Sequence, residues 1–131
     1  IVLDTPITPR EMALRIQEKL HIAHPRICGT LDKPITTVSC CFGTPAMLFE
    51  ELRSPTSELV LTGEACEWAL GEYARDADQL GITKSLIIMG HVGSERDGMQ
   101  LLATRIPTMF PVEAQYFECG EVYSYAETLR K

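Results

Sequence analysis

The chain has 131 residues, a formal net charge of −6, and 45% hydrophobic and 23% charged content. That size and balance fit one ordinary globular domain, able to bury roughly two-thirds of its unfolded surface. No Lys/Arg cluster occurs anywhere, which weighs against a nucleic-acid or anionic-membrane surface, because phosphate recognition needs a basic stripe.

The chain opens Ile1-Val-Leu-Asp4-Thr-Pro6, which lacks the basic region and long apolar run of a signal peptide. Its longest apolar run, Leu86 to Met89, is far too short to span a bilayer. The five cysteines, Cys28, Cys40, Cys41, Cys66 and Cys119, are odd in number and form no C-x-x-C pair. They read as buried small hydrophobes rather than a disulfide framework, and a reducing, cytoplasmic setting is expected. The start at Ile rather than Met leads us to expect a processed or excised piece of something longer.

Taken in order, Ile1 to Ile7 is extended. Thr8-Pro9-Arg10-Glu11 then opens a helix, with Thr8 as cap, Pro9 in the first helical position and Glu11 closing a capping box. Met12, Ala13, Ile16 and Leu20 give that helix its amphipathic spacing. His21 to Pro34, broken by Pro25, Gly29 and Pro34, reads as loop or short irregular strand.

Three strand-then-helix units follow. Ile35 to Cys41 is a strand that places Cys40 and Cys41 on opposite faces, and Phe42-Gly43-Thr44-Pro45 turns it into a helix through Leu52. Leu59 to Leu61 is a short buried strand, and Thr62-Gly63-Glu64 turns it into a helix reaching about Leu80. Ser85 to Met89 is the third strand, with a turn from Gly90 to Gly93. Ser94 is then expected to cap a helix, with Asp97 in the capping-box position and an apolar stripe of Met99, Leu102, Ala103 and Ile106. Val112 to Phe117 reads as a last strand, and Gly120 to Lys131 as either an extended arm or a short helix. The pattern predicts a single α/β domain over residues 1–131, layered, with a largely parallel central sheet flanked by helices.

In a parallel sheet each strand-to-helix turn falls on the carboxyl edge, where such folds place their sites. Three turns should therefore share one rim: Cys41 to Pro45, Thr62 to Glu64, and Gly90 to Glu95. His91 follows its strand at once and Glu95 comes four residues later. A neutral imidazole and a carboxylate so placed can share a metal ion. Each residue also has a plainer reading. His91 suits a surface or hydrogen-bonded role, Glu64 and Glu95 suit first-turn helix charges, and Thr62 suits a turn. Gly63, Gly90 and Gly93 suit relief of backbone strain. Elsewhere, Glu67 and Glu72 read as a solvated helix face, Trp68 as partly buried packing or interface, and His21 and His24 as surface residues. No phosphate loop, dinucleotide fingerprint or nucleophile elbow is present.

Thr62-Gly63-Glu64 after one strand and Gly90-His91-x-x-Ser94-Glu95 after the next resemble the Nif-three-like family of dinuclear metal-centre proteins. Some bacterial members of that family carry a GTP cyclohydrolase label. Arg26-Ile-Cys-Gly29 and Asp32-Lys-Pro-Ile-x-x-Val38 are similar to the segment before the family's glycine-rich turn. The resemblance covers most of the chain, as the C-terminal portion of a longer family-type protein. It implies His91 and Glu95 as metal ligands, with Thr62, Gly63, Glu64, Gly90 and Ser94 close by, and ring-like homo-oligomers.

Two departures stand out. The turn after the first strand reads Cys40-Cys41-Phe42-Gly43-Thr44-Pro45 rather than a glycine- and serine-rich run. The family's His-His pair and aspartate ligands belong to an N-terminal half with no counterpart here, and His21 and His24 do not match them.

Two functions follow as expectations. One is the metal-binding part of a dinuclear hydrolase that uses zinc, iron or manganese on a small anionic or nucleotide-like molecule. The other is a non-catalytic oligomerisation or partner-binding module with a structural or regulatory metal, whose interface would draw on Trp68, Tyr116–Phe117 and Tyr123–Tyr125.

Overall fold

The computed structural model describes residues 1–129. Strand β1 (Val2–Ile7) leads into helix α1 (Pro9–Leu20), and strand β2 (Arg26–Gly29) follows. Strand β3 (Ile35–Cys41) is succeeded by helix α2 (Leu48–Arg53) and strand β4 (Leu59–Thr62). A π-helical turn (Glu67–Gly71) runs into helix α3 (Glu72–Gln79). Strand β5 (Ser85–Ile88), helix α4 (His91–Met109) and a short 3-10 turn (Ala126–Leu129) complete the order.

The five strands form one sheet in the order β1-β3-β4-β5-β2. The central three run parallel, Val38 to Cys41 beside Leu59 to Thr62 beside Ser85 to Ile88. Both edge strands are antiparallel. The sheet is thus parallel at its centre and mixed overall, where a largely parallel sheet was expected. The difference lies at the two edges: β1 pairs antiparallel with β3, and the four-residue β2, within His21 to Pro34, pairs antiparallel with β5 from Arg26↔Ile88 to Gly29↔Ser85.

Helix α1 begins as its sequence requires. The Thr8 hydroxyl accepts from the Glu11 N–H at 3.2 Å, and the Glu11 carboxylate accepts from the Thr8 N–H at 3.0 Å. Its apolar face, Ala13 and Ile16, packs with Leu59, Leu61, Ile87 and Met89 on one side of the sheet. On the other side Val60, Leu86 and Ile88 meet Leu48 and Leu52 of α2 and Ala74 of α3. Alternate residues of β4 and β5 thus serve two cores, so these strands are apolar throughout. The loop before β4 is anchored by Lys84, almost wholly buried, whose ammonium donates to the Ser54 and Ser57 carbonyls. Burial lowers the pKa of that ammonium, with Glu58 opposing.

Four expectations are corrected. Val112 to Phe117 is not a strand, and residues 110–125 contain no helix or strand. The segment pairs with neither edge strand, β1 or β2, of the sheet. Trp68 is 82% exposed rather than partly buried. Cys40 and Cys119 are exposed, though Cys40 and Cys41 do lie on opposite faces, Cys41 packing with the second core. Helix α4 begins at His91 rather than after Ser94, and its stripe is only half used. Met99 and Leu102 stay substantially exposed, bordering a shallow groove with Tyr116 and Phe117.

Of the two readings of the tail, the chain shows a short helix at Ala126–Leu129; Arg130 and Lys131 lie outside the described residues. Among the described residues no helix is long and apolar enough to cross a membrane.

Leu59 is fully buried between the sheet and α1. Leu59→Ala is therefore expected to lower unfolding free energy by about 2–5 kcal/mol in urea titration. Leu80→Ala, at an exposed position, should change it by less than about 0.5 kcal/mol.

Candidate metal centre

Because β3, β4 and β5 are parallel and aligned, Cys41, Thr62 and Ile88 end level with one another. The three turns that leave them meet on one rim. The Gly43 N–H donates to the Ser94 hydroxyl at 3.0 Å, and the Glu64 N–H donates to the Gly43 carbonyl at 3.0 Å. The Thr62 hydroxyl donates to the Glu64 carbonyl at 3.0 Å and holds its own turn. Gly63 is required by space: a Cβ there would lie 2.6 Å from both the Gly43 carbonyl oxygen and the Ser94 hydroxyl.

Gly90, at φ 84°, turns the chain directly into α4. A residue with a Cβ pays for that left-handed conformation. The helix therefore starts three residues before Ser94, whose N–H makes a first-turn bond to the Gly90 carbonyl at 3.0 Å. Ser94 is not the cap. Its hydroxyl donates to the His91 carbonyl at 2.9 Å and accepts from Gly43, tying α4 to the β3 turn.

This framework brings His91, Glu64 and Glu95 together. His91 Nδ1 lies 2.5 Å from Glu64 Oε1 and 3.2 Å from the Thr44 hydroxyl, while His91 Nε2 lies 3.2 Å from Glu95 Oε2. The side chains are 42%, 52% and 45% exposed respectively, so solvent and ligands reach them. The hydrogen bond that His91 donates to the Glu64 carboxylate holds its imidazole above its ordinary pKa of 6.5, against partial desolvation, and the Glu95 charge adds to the effect.

The donor set fits part of a divalent-metal site. Two cis ligands about 2.1 Å from one ion are separated by roughly 3–3.4 Å, and His91 Nε2 and Glu95 Oε2 stand at 3.2 Å. Glu64, on the far ring nitrogen, has the place of the carboxylate that orients a metal-bound histidine and fixes its tautomer. The two carboxylates flank opposite edges of the ring, so the three side chains do not surround one point. Among the described residues no group of three or more His, Cys, Asp or Glu forms a cage for a metal ion.

Several neighbours were not anticipated. Thr44 contacts the His91 ring, and nothing in its local sequence marks it. His91 and Glu64 also wall a cavity of about 360 Å³, shared with His24, Arg26, Glu121 and Tyr123. His24 and Arg26 reach the rim because β2 runs antiparallel and so starts where its neighbour β5 ends. His24 is not a bare surface residue, since it stacks on Tyr125 with ring centres 3.8 Å apart and its Nδ1 lies 3.1 Å from Glu127. Glu121 rests against the start of α4, where a Cβ on Gly90 would meet its carboxylate at 3.2 Å. Negative charge is favoured at that helix end.

The fold is thus a mixed sheet flanked by helices that carries a histidine and two carboxylates on its carboxyl rim. The chain belongs to the Duf34/NIF3 (NGG1p interacting factor 3) family, whose model matches residues 1–121. It is 26% identical over 106 residues to a GTP cyclohydrolase 1 type 2 homolog of Clostridium acetobutylicum, covering 81% of this chain and 37% of that protein. Among solved structures it is similar to Staphylococcus aureus protein SA1388, with a TM-score of 0.67 at 20% identity over 95% of this chain and 40% of that one. It is also similar to a Bacillus cereus protein related to NIF3, with a TM-score of 0.65 at 18% identity over 95% of this chain and 34% of that one. Protein ybgI, a structural-genomics structure of unknown function, gives a TM-score of 0.69 at 19% identity over 92% of this chain and 46% of that one. The chain thus spans less than half the length of these relatives, and at these identities the solved structures show the fold alone.

Two predictions follow from the rim geometry. Gly63→Ala forces the β3 and β4 turns apart and should cost about 1–3 kcal/mol in urea unfolding, as overpacking does. In metal-free protein the His91 ring should titrate above pH 6.5 by proton NMR, and Glu64→Gln should move its midpoint down. A raised midpoint means that protons compete more strongly for this nitrogen as pH falls.

Proposed function

We propose that this chain contributes His91 and Glu95 as two ligands of a dinuclear divalent-metal centre in a metal-dependent hydrolase of small anionic or nucleotide-like molecules. The observation that carries this reading is the 3.2 Å approach of His91 Nε2 to Glu95 Oε2 with Glu64 set on His91 Nδ1. The remaining ligands come from outside the 131 residues, in keeping with the chain's 37% share of its Clostridium relative. That relative's GTP cyclohydrolase label supports a nucleotide-like substrate. The associated architecture is layered, with α1 on one face of the sheet and α2 and α3 on the other. The free cysteines favour a cytoplasmic setting.

The residues divide the work by position. His91 would offer Nε2 to the ion, and Glu64 accepts a hydrogen bond from Nδ1–H, which would keep the Nε2 lone pair outward. Glu95 supplies the second donor from the next turn of α4 and is able to bind or bridge. Thr62, Gly63 and Ser94 hold the turns at the separation this requires. A pair of divalent ions (zinc, iron or manganese all accept such N/O donors) supplies an acidified water and a clamp for anionic oxygens.

A second reading, an oligomerisation or partner-binding module with a structural or regulatory metal, is favoured by the apolar surface of α4. Met99, Leu101, Leu102 and Met109 are exposed there, close in sequence to the equally exposed Phe110, and a patch of this kind marks an interaction surface. Homo-oligomers satisfy both readings.

Metal content after chelator-free purification of the full-length protein separates these roles. His91→Ala with Glu95→Ala should lose the bound ion, and equal metal in variant and wild type would remove both residues as ligands. Glu64→Gln should retain the fold and bind metal about 10–100-fold more weakly, the usual effect of removing a histidine's carboxylate partner.

A further inference from the structure

The β3 turn carries a large apolar ring to the side of the rim where Glu95 stands. Gly43, at φ 67°, approaches both proposed ligands: a Cβ there would lie 2.5 Å from Glu95 Oε1 and 3.8 Å from His91 Nε2. Its neighbour Phe42 is thereby set beside Glu95, with half of its surface exposed. Phe42, Leu20, Met89 and Met99 line a groove of about 490 Å³ whose lining also includes Glu95. That volume falls within the range of small-molecule sites. We infer that this groove holds the alkyl or aryl tail of a small amphiphile whose anionic head sits at the proposed dinuclear centre. The head rests on the metal reading above; the tail is assigned by the groove.

The walls are fixed to one another without a ligand. The Arg96 guanidinium donates to the Leu20 carbonyl at 2.5 Å, which ties the end of α1 to α4. The bond from Gly43 to Ser94 ties the β3 turn to the same helix. Met89 is almost wholly buried, and its N–H donates to the Thr62 carbonyl at 2.8 Å. The groove is therefore built by the framework that positions His91 and Glu95.

Its chemistry selects an uncharged, apolar tail. Among the described residues that line it none is a cation, so a second anionic group finds no partner there. The Ser94 hydroxyl already donates to the His91 carbonyl and accepts from Gly43. A polar tail would give up water and gain no hydrogen bond in return. Of the two carboxylates, Asp97 faces Arg96 at 3.6 Å and Glu95 is given to the ion, so neither calls for a cationic tail. Phe42 and Met99, each about half exposed, offer a flat ring and an adaptable thioether, and covering such surface favours binding in proportion to the area removed from water.

Isothermal titration of the full-length protein, zinc-loaded and then desalted, with methyl, butyl and hexyl phosphate tests this, beside metal analysis of the same samples. Hexyl phosphate should bind about tenfold or more tightly than methyl phosphate, each added methylene gaining up to about fourfold where fully buried. Phe42→Ala and Met99→Ala should each cut that hexyl-to-methyl ratio by about threefold or more. Both side chains are half exposed, so neither variant opens the core. No binding of hexyl phosphate, or equal affinity along the series (the result a groove already covered in the full-length protein would give), overturns the proposal. A ratio unchanged in both variants overturns it as well. Metal retained with no gain along the series sinks this inference alone. A gain that Phe42→Ala removes, in protein that retains no metal, sinks the metal reading alone.

Discussion

The close approach of two backbone turns, at Gly43 and Gly63, is the constraint on which the rim depends. Parallel register brings β3, β4 and β5 to a common end, but it does not by itself bring the following turns into contact. That contact exists because residue 63 has no side chain where the Gly43 backbone and the Ser94 hydroxyl converge. Glu64 is then drawn in by its N–H bond to Gly43, and α4 by the bond from Gly43 to Ser94. His91 and Glu64 come from different strand ends, 27 positions apart in the chain, and meet only because these two bonds share one glycine between them.

Much of this order was legible beforehand, and the reason is physical. β4 and β5 are covered on both faces, so they must be continuous apolar runs, and such runs ending in Thr-Gly-Glu and Gly-His are visible without a structure. The capping box of α1 is equally local, since Thr8 and Glu11 answer each other within one turn. The family, too, was legible in these motifs. What escaped notice depended on partners distant in sequence. The antiparallel direction of β2 is set by its pairing with β5, some sixty positions away, and that direction alone carries His24 and Arg26 to the rim. Val112 to Phe117 has a strand's alternation but pairs with no strand of the sheet, and alternation without a partner is not a strand. Ser94 followed the same rule in reverse. Its sequence suits a cap, yet Gly90 already opens the helix and the hydroxyl is committed to a neighbouring turn.

The environment of His91 follows from the same geometry. Each ring nitrogen faces a carboxylate, Glu64 at 2.5 Å and Glu95 at 3.2 Å. Such a ring is best satisfied when both nitrogens carry positive character, either as an imidazolium or as a neutral ring with a cation at one nitrogen. The Glu64 contact is the shorter, and it is reinforced by Thr44 on the same nitrogen. A proton is therefore best held at Nδ1, and Nε2 is the nitrogen turned toward Glu95.

The asymmetry between the two carboxylates follows from where the chain attaches them. Glu64 sits on a turn clamped at both sides, by Thr62 within its own loop and by Gly43 from the next one. Glu95 sits one helical turn beyond His91 on α4, a helix whose only buried residue is Gly93. The first carboxylate is fixed to the sheet, whereas the second is fixed to an element with little of its own surface packed. His91 and Glu95 share α4, so their mutual spacing is fixed by the helix itself, whereas their position relative to Glu64 depends on how α4 sits on the rim. The orientation of α4 on the rim, set by the Gly43–Ser94 bond, is therefore what brings His91 to Glu64.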